Sequence, residues 1–368
     1  MNLINLSKFG VIVMSLTMMS CVNKPEQWQS EQFDGKTFNN QATSLNDGSE
    51  NMANIFYRFM FEDRKQRVPQ QALPMQPLDL QLWQQSQQDL VARLGHSSVL
   101  LKLDGGFWLT DPVFSKRASP VQWAGPKRFH QPPVTLEQLP ELTAIVISHD
   151  HYDHLDKHSV LALADKTERF IAPLGVGQRL IDWGVPADKV TELDWWQEYQ
   201  HAGVTVAATP AQHFSGRSLR DRNQTLWASF VLQGQQSKVF FSGDGGYFGG
   251  FKEIGERYGP FDLTLMETGA YDESWASVHM LPEQSVQAHL DVRGEVLLPI
   301  HNSTFNLAFH PWQEPLQRVQ HQAERSGVSL WIPMIGETRT IGGAYSNNSW
   351  WEQSAETLTQ LTAVDGNS

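Results

Sequence analysis

The sequence of 368 residues contains a single cysteine, Cys21, close to its start. A disulfide within the chain is therefore excluded, so no cross-link stabilises the fold. A thiolate ligand is likewise excluded from any metal site further along the chain. Such a site must use histidine and carboxylate side chains, which suit zinc but also accept manganese or iron.

Basic residues are also scarce. The chain has 28 Lys and Arg against 40 Asp and Glu, a net charge of −12. Proteins that bind nucleic acid need a surplus of positive charge to neutralise phosphates, so the composition argues against nucleic acid as a partner. It also offers no basic cluster for anionic lipid headgroups, so any approach to a membrane must rest on other features.

The apolar run near the N-terminus, Phe9 to Met19, is only eleven residues long. A membrane-spanning helix needs ~20 residues, so the run after Lys8 predicts a secretory signal peptide instead. Ser20 before Cys21 resembles a bacterial lipoprotein cleavage site, which predicts a lipid on Cys21. We expect the protein in a bacterial cell envelope, lipid-anchored to a membrane facing the periplasm. Val22, which is not Asp, favours the outer membrane; a soluble periplasmic form is the alternative.

The composition changes after the signal peptide. Residues 22–51 are polar with almost no aliphatic side chains, which predicts a flexible tether. Residues 52–368 are long enough for one large domain. Asp104-Gly105 between two apolar runs predicts a β-hairpin. Helical patterns at 250–258, 282–292 and 314–326 alternate with short strands, which indicates a mixed α/β fold, and 349–368 is expected to be a peripheral helix and frayed tail.

The segment 148–156 has the highest concentration of possible metal ligands in the sequence. It follows the apolar run 144–147 and places His149, His151, Asp153 and His154 within six residues. Two histidines at i and i+2 can direct their rings to one ion, and the Asp-His pair after them can bind a second ion beside it. The segment therefore predicts two adjacent metals at the end of a buried strand.

Three further ligand candidates follow later apolar runs in the same way: His213, Asp244 and His301. Loops at strand ends commonly carry function on a rigid scaffold. Gly243, Gly245 and Gly246 around Asp244 would let the backbone turn tightly near an ion. The shared context makes these three residues more specific as a set than any one of them alone.

The order His-x-His-x-Asp-His, then His, Asp and His resembles the metallo-β-lactamase superfamily. The resemblance implies an α/β fold, a four-layer αββα sandwich with two bound metals. It implies that His149, His151 and His213 bind one metal, that Asp153, His154 and His301 bind the other, and that Asp244 bridges both.

A closer similarity is to the N-acyl-phosphatidylethanolamine-hydrolysing phospholipase D family. It rests on Leu94-Gly95-His96, on 110–115, on 125–129, on Thr209-Pro210-Ala211-Gln212-His213 and on His279-Met280-Leu281-Pro282-Glu283, and extends over about residues 55–340. It implies a metal-dependent phosphodiesterase that releases phosphatidic acid and an N-acylethanolamine. Asp153, Asp244 and His279 would then be catalytic, His279 by stabilising oxyanion charge or protonating the leaving group.

Two alternatives stay open for the function. The same dinuclear site could act on a lactone or a sugar-phosphate ester, or the chain could be a non-catalytic metal-binding lipoprotein. The expected cofactors are two Zn²⁺, with Mn²⁺ or Fe as alternatives. The expected partners are a phospholipid or other small ester and a membrane through the lipid anchor; a dimer is one option for the oligomeric state.

Several other residues have supporting roles in this interpretation. His96 and Asp111 are expected to support the site through hydrogen bonds, and Asp156 to be an outer carboxylate or a helix-start residue. The remaining histidines are predicted to be structural or on the surface: His130, His158, His201, His289, His310 and His321. The aromatic residues Trp195, Trp196, Phe214, Phe305, Phe309 and Trp312 lie near ligands in sequence, although most of them are expected in the core.

Overall fold

The computed structural model describes residues 28–41, 52–61 and 66–352. The predicted signal peptide with Cys21 lies outside the described residues, as does most of the predicted C-terminal tail. Among the described residues, none of the helices has the length and apolar character needed to cross a bilayer.

The first of two sheets is built mainly from the N-terminal half of the domain. Its strands in chain order are β1 (Leu90–Gly95), β2 (Ser98–Leu103), β3 (Gly106–Thr110), β4 (Leu142–Val146), β5 (Thr167–Pro173) and β6 (Val190–Leu193). Strands β1 to β3 are antiparallel neighbours, whereas β3 to β6 run parallel. These strands lie in the sheet in the same order as in the chain.

The second sheet is built from the C-terminal half. Its strands are β7 (Glu198–His201), β8 (Val204–Thr209), β9 (Ser229–Gln233), β10 (Lys238–Phe241), β11 (Phe261–Glu267), β12 (Gly294–Ile300) and β13 (Ser329–Leu330). Strands β10, β11, β12 and β13 run parallel, so their carboxyl ends meet at one edge. The last strand, β14 (Thr338–Thr340), returns to the first sheet and pairs with β1.

The helices are α1 (Met52–Phe61), α2 (Leu80–Gln85), α3 (Lys157–Leu163), α4 (Val176–Trp183), α5 (Gly250–Tyr258), α6 (Pro282–Asp291) and α7 (Glu314–Ser326). Helices α2 to α4 pack on the outer face of the first sheet, and α5 to α7 pack on the outer face of the second. One buried cluster lies between the sheets, one joins the first sheet to α3 and α4, and one joins the second sheet to α5, α6 and α7. Alternate residues of each strand point to opposite faces, which is why each sheet contributes to two clusters. The predicted four-layer αββα sandwich is confirmed.

Local sequence signals account for several of these elements. The predicted hairpin is β2 and β3, and its turn residues Asp104 and Gly105 both have positive φ, 49° and 84°. This geometry matches the right-handed twist of the paired strands. The helical patterns at 250–258, 282–292 and 314–326 correspond to α5, α6 and α7.

Residues 28–41 pack onto the domain, which differs from the flexible tether predicted over 22–51. Phe38 is fully buried in the cluster between the sheets, and its N–H donates to Asn223 O at 2.8 Å. Trp28 and Phe33 pack against Phe38 with ring centroids 5.2 and 5.0 Å away. Three aromatic side chains thus supply the apolar contact that the polar average of this segment conceals.

The start of the predicted C-terminal tail is also part of the core. Trp350 and Trp351 are buried against the cluster on the outer face of the second sheet. Trp350 Nε1 donates to Ile332 O at 3.1 Å. The expectation of a peripheral segment is therefore wrong for these two residues, and the rest of the tail lies outside the described residues.

Candidate metal centre

The seven predicted ligands lie together at the carboxyl ends of strands from both sheets. Residues 149–154 follow β4, whereas His213, Asp244 and His301 follow β8, β10 and β12 of the second sheet. Their nitrogen and oxygen atoms form overlapping groups with separations of at most 4.8 Å. Metal binding by these residues stays a prediction. Their side chains are close enough together to share metal ions, as the prediction requires.

The first group consists of His149, His151 and His213. His149 Nε2 lies 2.8 Å from His151 Nδ1, which in turn lies 3.2 Å from His213 Nε2. Burial lowers the pKa of His149 and His213 well below the usual value, and also lowers that of His151. Neutral imidazoles with converging nitrogens are the form that a divalent metal requires.

The second group consists of Asp153, His154 and His301. Asp153 Oδ2 lies 3.2 Å from His301 Nε2 and 3.5 Å from His154 Nε2. Burial alone would lower the pKa of both histidines, but the carboxylates around them outweigh it. The pKa of His301 rises to about 10, and that of His154 rises well above its usual value. The carboxylates therefore favour positive charge at this position.

Asp244 lies between the two groups. Its Oδ2 is 2.9 Å from His301 Nε2 and 3.0 Å from His154 Nε2, and 4.0 Å from His149 Nε2 and His213 Nε2. Its Oδ1 is buried and has no hydrogen-bond partner within the described part of the chain. Buried polar atoms normally have partners, so this oxygen fits a carboxylate that binds cations through both of its oxygens.

Outer hydrogen bonds orient the ligand rings, as expected for Asp111 and His96. Asp111 Oδ2 accepts from His154 Nδ1 at 2.6 Å, and Asp111 Oδ1 accepts from Ser148 N at 2.7 Å. His96 Nε2 lies 3.0 Å from Asp153 Oδ2. A carboxylate on the far nitrogen of a histidine fixes the tautomer and strengthens the ring as a ligand.

The backbone is strained at three of these positions. His96, Asp111 and His301 have φ of 50°, 33° and 62°, in the left-handed region that non-glycine residues rarely adopt. Each of the three side chains belongs to a group that could hold a metal. Such strain persists where the surrounding structure over-determines the conformation, commonly at functional sites.

His279 lies beside the second group, with its ring stacked on that of His301 at 5.4 Å. Its Nδ1 contacts Glu267 Oε1, whose other oxygen, Oε2, accepts from Gly245 N at 2.6 Å. Burial lowers the pKa of His279 to about 4, and burial together with the charge of Asp244 raises the pKa of Glu267 well above its usual value. Proximity to the cluster is consistent with the catalytic prediction for His279 without testing it.

Glu267 is not among the site residues predicted from the sequence. This residue is the last of β11, after an apolar run and before Thr268-Gly269, which is the same pattern that identified the other strand-end residues. The same sequence pattern could therefore have identified this glutamate as a site residue. Glu267 is fully buried, and its carboxyl group links His279 to the loop that carries Asp244.

The other residues singled out in the sequence lie at varied positions. Asp156 is the N-cap of α3 and accepts from His158 N. Phe214 and Phe305 pack against His151 and His96, with centroids 4.6 and 5.3 Å apart. Trp195 belongs to the core between the sheets. Among the described residues, the groups that could hold a metal include none of the six histidines predicted to be structural or on the surface: His130, His158, His201, His289, His310 and His321.

Comparison with known proteins gives consistent results. The family profile described as "Beta-lactamase superfamily domain" matches residues 108–302, more than half of the chain. An uncharacterised protein of Mycobacterium tuberculosis is 48% identical over 265 residues, 71% of each chain. N-acyl-phosphatidylethanolamine-hydrolyzing phospholipase D 1 of Caenorhabditis elegans is 35% identical over 308 residues, 78% of this chain and 86% of that protein.

Two further similarities concern a short relative and a solved structure. Outer membrane protein RomA of Klebsiella pneumoniae is 51% identical over 98 residues, 27% of this chain and 74% of that protein. The structure of Igni18, a metallo hydrolase of the archaeon Ignicoccus hospitalis, is similar with a TM-score of 0.53 and 22% identity. The match covers 70% of this chain and 99% of Igni18. At this identity the similarity concerns the fold.

Proposed function

Since the chain belongs to the metallo-β-lactamase superfamily of metal-dependent hydrolases, we propose that it hydrolyses phosphodiester bonds as a phospholipase D does. The substrates would be lipids of the N-acyl-phosphatidylethanolamine type. Water would break the bond between phosphorus and the ethanolamine oxygen, and the products would be phosphatidic acid and an N-acylethanolamine.

The observation that carries this proposal is the similarity to the C. elegans phospholipase D, which spans most of both chains. The chemistry of the cluster supports it. All seven candidate ligands are nitrogen or carboxylate donors, and Asp244 lies within 4.0 Å of nitrogen atoms from both groups. A bridging carboxylate suits the spacing of ~3.5 to 4 Å at which two metals act on both oxygens of a displacement.

We propose two Zn²⁺ as the cofactors, with Mn²⁺ or Fe as alternatives. His149, His151 and His213 would hold one, Asp153, His154 and His301 the other, and Asp244 both. When bound, the two cations would lower the pKa of a water molecule between them toward neutrality and polarise the phosphoryl oxygen.

Glu267 and His279 would supply the proton that the leaving group needs. Because Nδ1 of His279 faces Glu267, its Nε2 is the ring nitrogen available to a substrate. Burial raises the pKa of Glu267 and lowers that of His279, and so favours a neutral pair in which Glu267 donates to Nδ1 and His279 carries a proton on Nε2. His279 can then give this proton to the departing ethanolamine oxygen and recover one from Glu267.

A membrane is the partner that this proposal requires. The exposed side chains of Trp123 and Leu219 lie in the loops that follow β3 and β8, the loops that also carry Asp111 and His213. Tryptophan at such positions favours the interface between water and lipid. We propose that lipidated Cys21 adds an anchor in the cell envelope, and the likeness to RomA supports the outer membrane.

Because residues 28–41 pack on the domain, the segment between the proposed lipid on Cys21 and the folded domain is short. Seven steps separate Cys21 from Trp28, and an extended chain covers at most ~3.6 Å per residue. A lipid on Cys21 would therefore hold Trp28 within roughly 25 Å of the bilayer surface. This is much closer than a thirty-residue tether would allow.

The proposal is tested by incubating the purified, zinc-loaded protein with dispersed N-acyl-phosphatidylethanolamine and analysing the lipids by mass spectrometry. Phosphatidic acid and N-acylethanolamine should appear with the parent protein and be absent with Asp244→Asn, which removes one bridging oxygen. His158→Asn, at an exposed residue, is the matched control and should retain activity.

Zinc-loaded protein that leaves this lipid intact would overturn the phospholipase D proposal. Activity of the same preparation on a lactone or a sugar-phosphate ester would then identify the alternative substrate class. Activity that Asp244→Asn leaves unchanged would show that the cluster is not the catalytic site.

A further inference from the structure

Residues 28–41, the N-terminal strap, reach the predicted metal centre. Two residues of the strap bond to the loop that follows β8. The N–H of the buried Phe38 donates to Asn223 O, and Asn40 contacts His213, which is nearer the cluster. The matched superfamily domain begins at residue 108, so the strap lies outside it.

Asn40 pairs with the main chain of His213 in both directions. Its Nδ2 donates to His213 O at 2.6 Å, and its Oδ1 accepts from His213 N at 3.0 Å. The same Oδ1 accepts from Trp227 Nε1 at 3.0 Å. One side chain thus supplies the two hydrogen bonds that a neighbouring strand would otherwise provide.

This pairing is needed because β8 ends at Thr209, four residues before His213. Within the described residues, no main-chain group bonds to His213 N or O. The ring is fixed separately, since its Nδ1 lies 2.9 Å from Val278 O. That contact leaves Nε2 facing His151 Nδ1 at 3.2 Å.

We infer that Asn40 is a positioning residue for the metal bound by His149, His151 and His213. It fixes the backbone of His213 so that Nε2 completes the group of three nitrogens. The strap is then an integral part of the metal centre. This inference rests on the predicted ligand set and is independent of the substrate.

The size of the effect follows from outer contacts at other metal sites, where removing a partner that orients a ligand weakens metal binding by roughly 10- to 100-fold. Asn40→Ala leaves the buried N–H and C=O of His213 without partners. The loop must then move toward water or bend, and either change displaces Nε2.

The test measures zinc affinity by competition with a chelating dye, using the full mature protein stripped of metal. For Asn40→Ala, one of two zinc equivalents should bind roughly 10- to 100-fold more weakly. Asn39→Ala is the matched control, because among the described residues the exposed side chain of Asn39 donates only to Asp34 and Thr37, both within the strap. It should leave both affinities unchanged.

A second variant covers the case in which Asn40→Ala does not fold. Asn40→Asp has the same shape and keeps the acceptor for His213 N and Trp227 Nε1, but places an oxygen opposite His213 O. The strap should remain docked, and one zinc should still bind more weakly than in the parent. Cobalt-loaded protein should show an altered visible spectrum, because that spectrum reports the geometry around the ion.

A purely structural role for Asn40 would give a different pattern. The melting temperature of the metal-free protein would fall, while the zinc affinities and the cobalt spectrum would match those of the Asn39→Ala control. Unchanged zinc affinity in Asn40→Asp would overturn the inference as well, whatever the behaviour of Asn40→Ala.

Discussion

At the scale of single residues, histidines of the cluster present one ring nitrogen to the site and give the other to the protein. Ser148 Oγ lies 2.9 Å from His149 Nδ1, Asp111 lies 2.6 Å from His154 Nδ1, and the carbonyl of Val278 lies 2.9 Å from His213 Nδ1. Such contacts fix the tautomer before a metal binds. The cluster is therefore preorganised.

The ligand candidates could be predicted because each follows an apolar strand, and the chain marks such strands clearly. Glu267 follows the same rule and could have been found. Asn40 could not, because it contacts His213 across 173 residues of sequence and bonds to the main chain. A contact that involves no side chain of the ligand leaves no residue-type signal at the partner position.

The Glu267–His279 pair makes a prediction about catalysis. Glu267→Gln keeps a hydrogen bond to Nδ1 but cannot return a proton, so we expect kcat to fall by roughly 10²-fold with metal content unchanged. Steady-state kinetics and metal analysis of the purified variant give both quantities. Ser285→Ala is the control, since within the described part of the chain Ser285 Oγ donates only to the main-chain oxygens of Glu267 and Leu281. A kcat of Glu267→Gln equal to that of the parent would contradict the assigned role. So would an equally large fall in kcat when Glu267→Gln is introduced into the His279→Ala variant, because Glu267 is expected to act through His279.

At the scale of elements, parallel strands gather the site. Strands β10, β11 and β12 end side by side, so Asp244, Glu267 and His301 meet at one edge, and β4 of the facing sheet brings residues 149–154 to them. The strands, the hairpin and three helices were predictable from local patterns. The pairing of β1 with β14 was not, because it joins residues about 250 positions apart and depends on the packing of the whole sandwich.

The loop after β10 carries a glycine that the geometry requires. A Cβ on Gly246 would lie 1.9 Å from Ser277 O, and the next residue, Val278, accepts from the ring of His213. We expect Gly246→Ala to lower the free energy of unfolding by about 1–3 kcal/mol and to weaken zinc binding, because the two loops must separate.

Gly249 provides the matched control for this prediction. It is in the same loop with φ of −64°, and a Cβ there would meet nothing within 4 Å. Gly249→Ala should therefore change the free energy of unfolding by less than about 1 kcal/mol, with no loss of stability. Urea unfolding of the metal-free proteins compares the two variants. Equal free energies of unfolding for the two variants would show that the loops can separate without loss of stability.

At the scale of the whole molecule, composition indicated the kinds of ligand and partner better than it indicated where the folded domain begins and ends. The net charge of −12 and the single cysteine limited the partners and the ligand types. The average polarity of residues 22–51 predicted a tether and so concealed the docked strap, since three aromatic side chains suffice to order it. Trp350 and Trp351 extend the core at the other end of the domain in the same way.

Buried histidines outside the cluster predict how the stability of the domain depends on pH. His289 bonds to Thr264, and burial lowers its pKa to about 4 from 6.5. The unfolded chain therefore binds the proton first as the pH falls, and stability is lost progressively from about pH 6.5 to about pH 4. One pKa unit corresponds to about 1.4 kcal/mol, so this residue contributes about 3 kcal/mol to that loss.

His289→Asn removes the titrating ring, so the melting temperature of the metal-free variant should fall less between pH 7 and pH 4.5 than that of the parent. The difference between the two pH values is the relevant quantity, because the substitution also leaves space in the core. His158→Asn, at an exposed position, should keep the parent's pH dependence. The same pH dependence in all three proteins would exclude His289 as a source of acid sensitivity.

If the cluster activates water to hydrolyse a phosphodiester, the oxygen atom of that water must end in the phosphate product. Zinc-loaded protein is supplied with N-acyl-phosphatidylethanolamine in water enriched in oxygen-18, and both products are analysed by mass spectrometry. Attack of water on phosphorus should place one heavy oxygen in the phosphate of each phosphatidic acid molecule and none in the N-acylethanolamine. Heavy oxygen in the N-acylethanolamine, or in a released fatty acid, would contradict it.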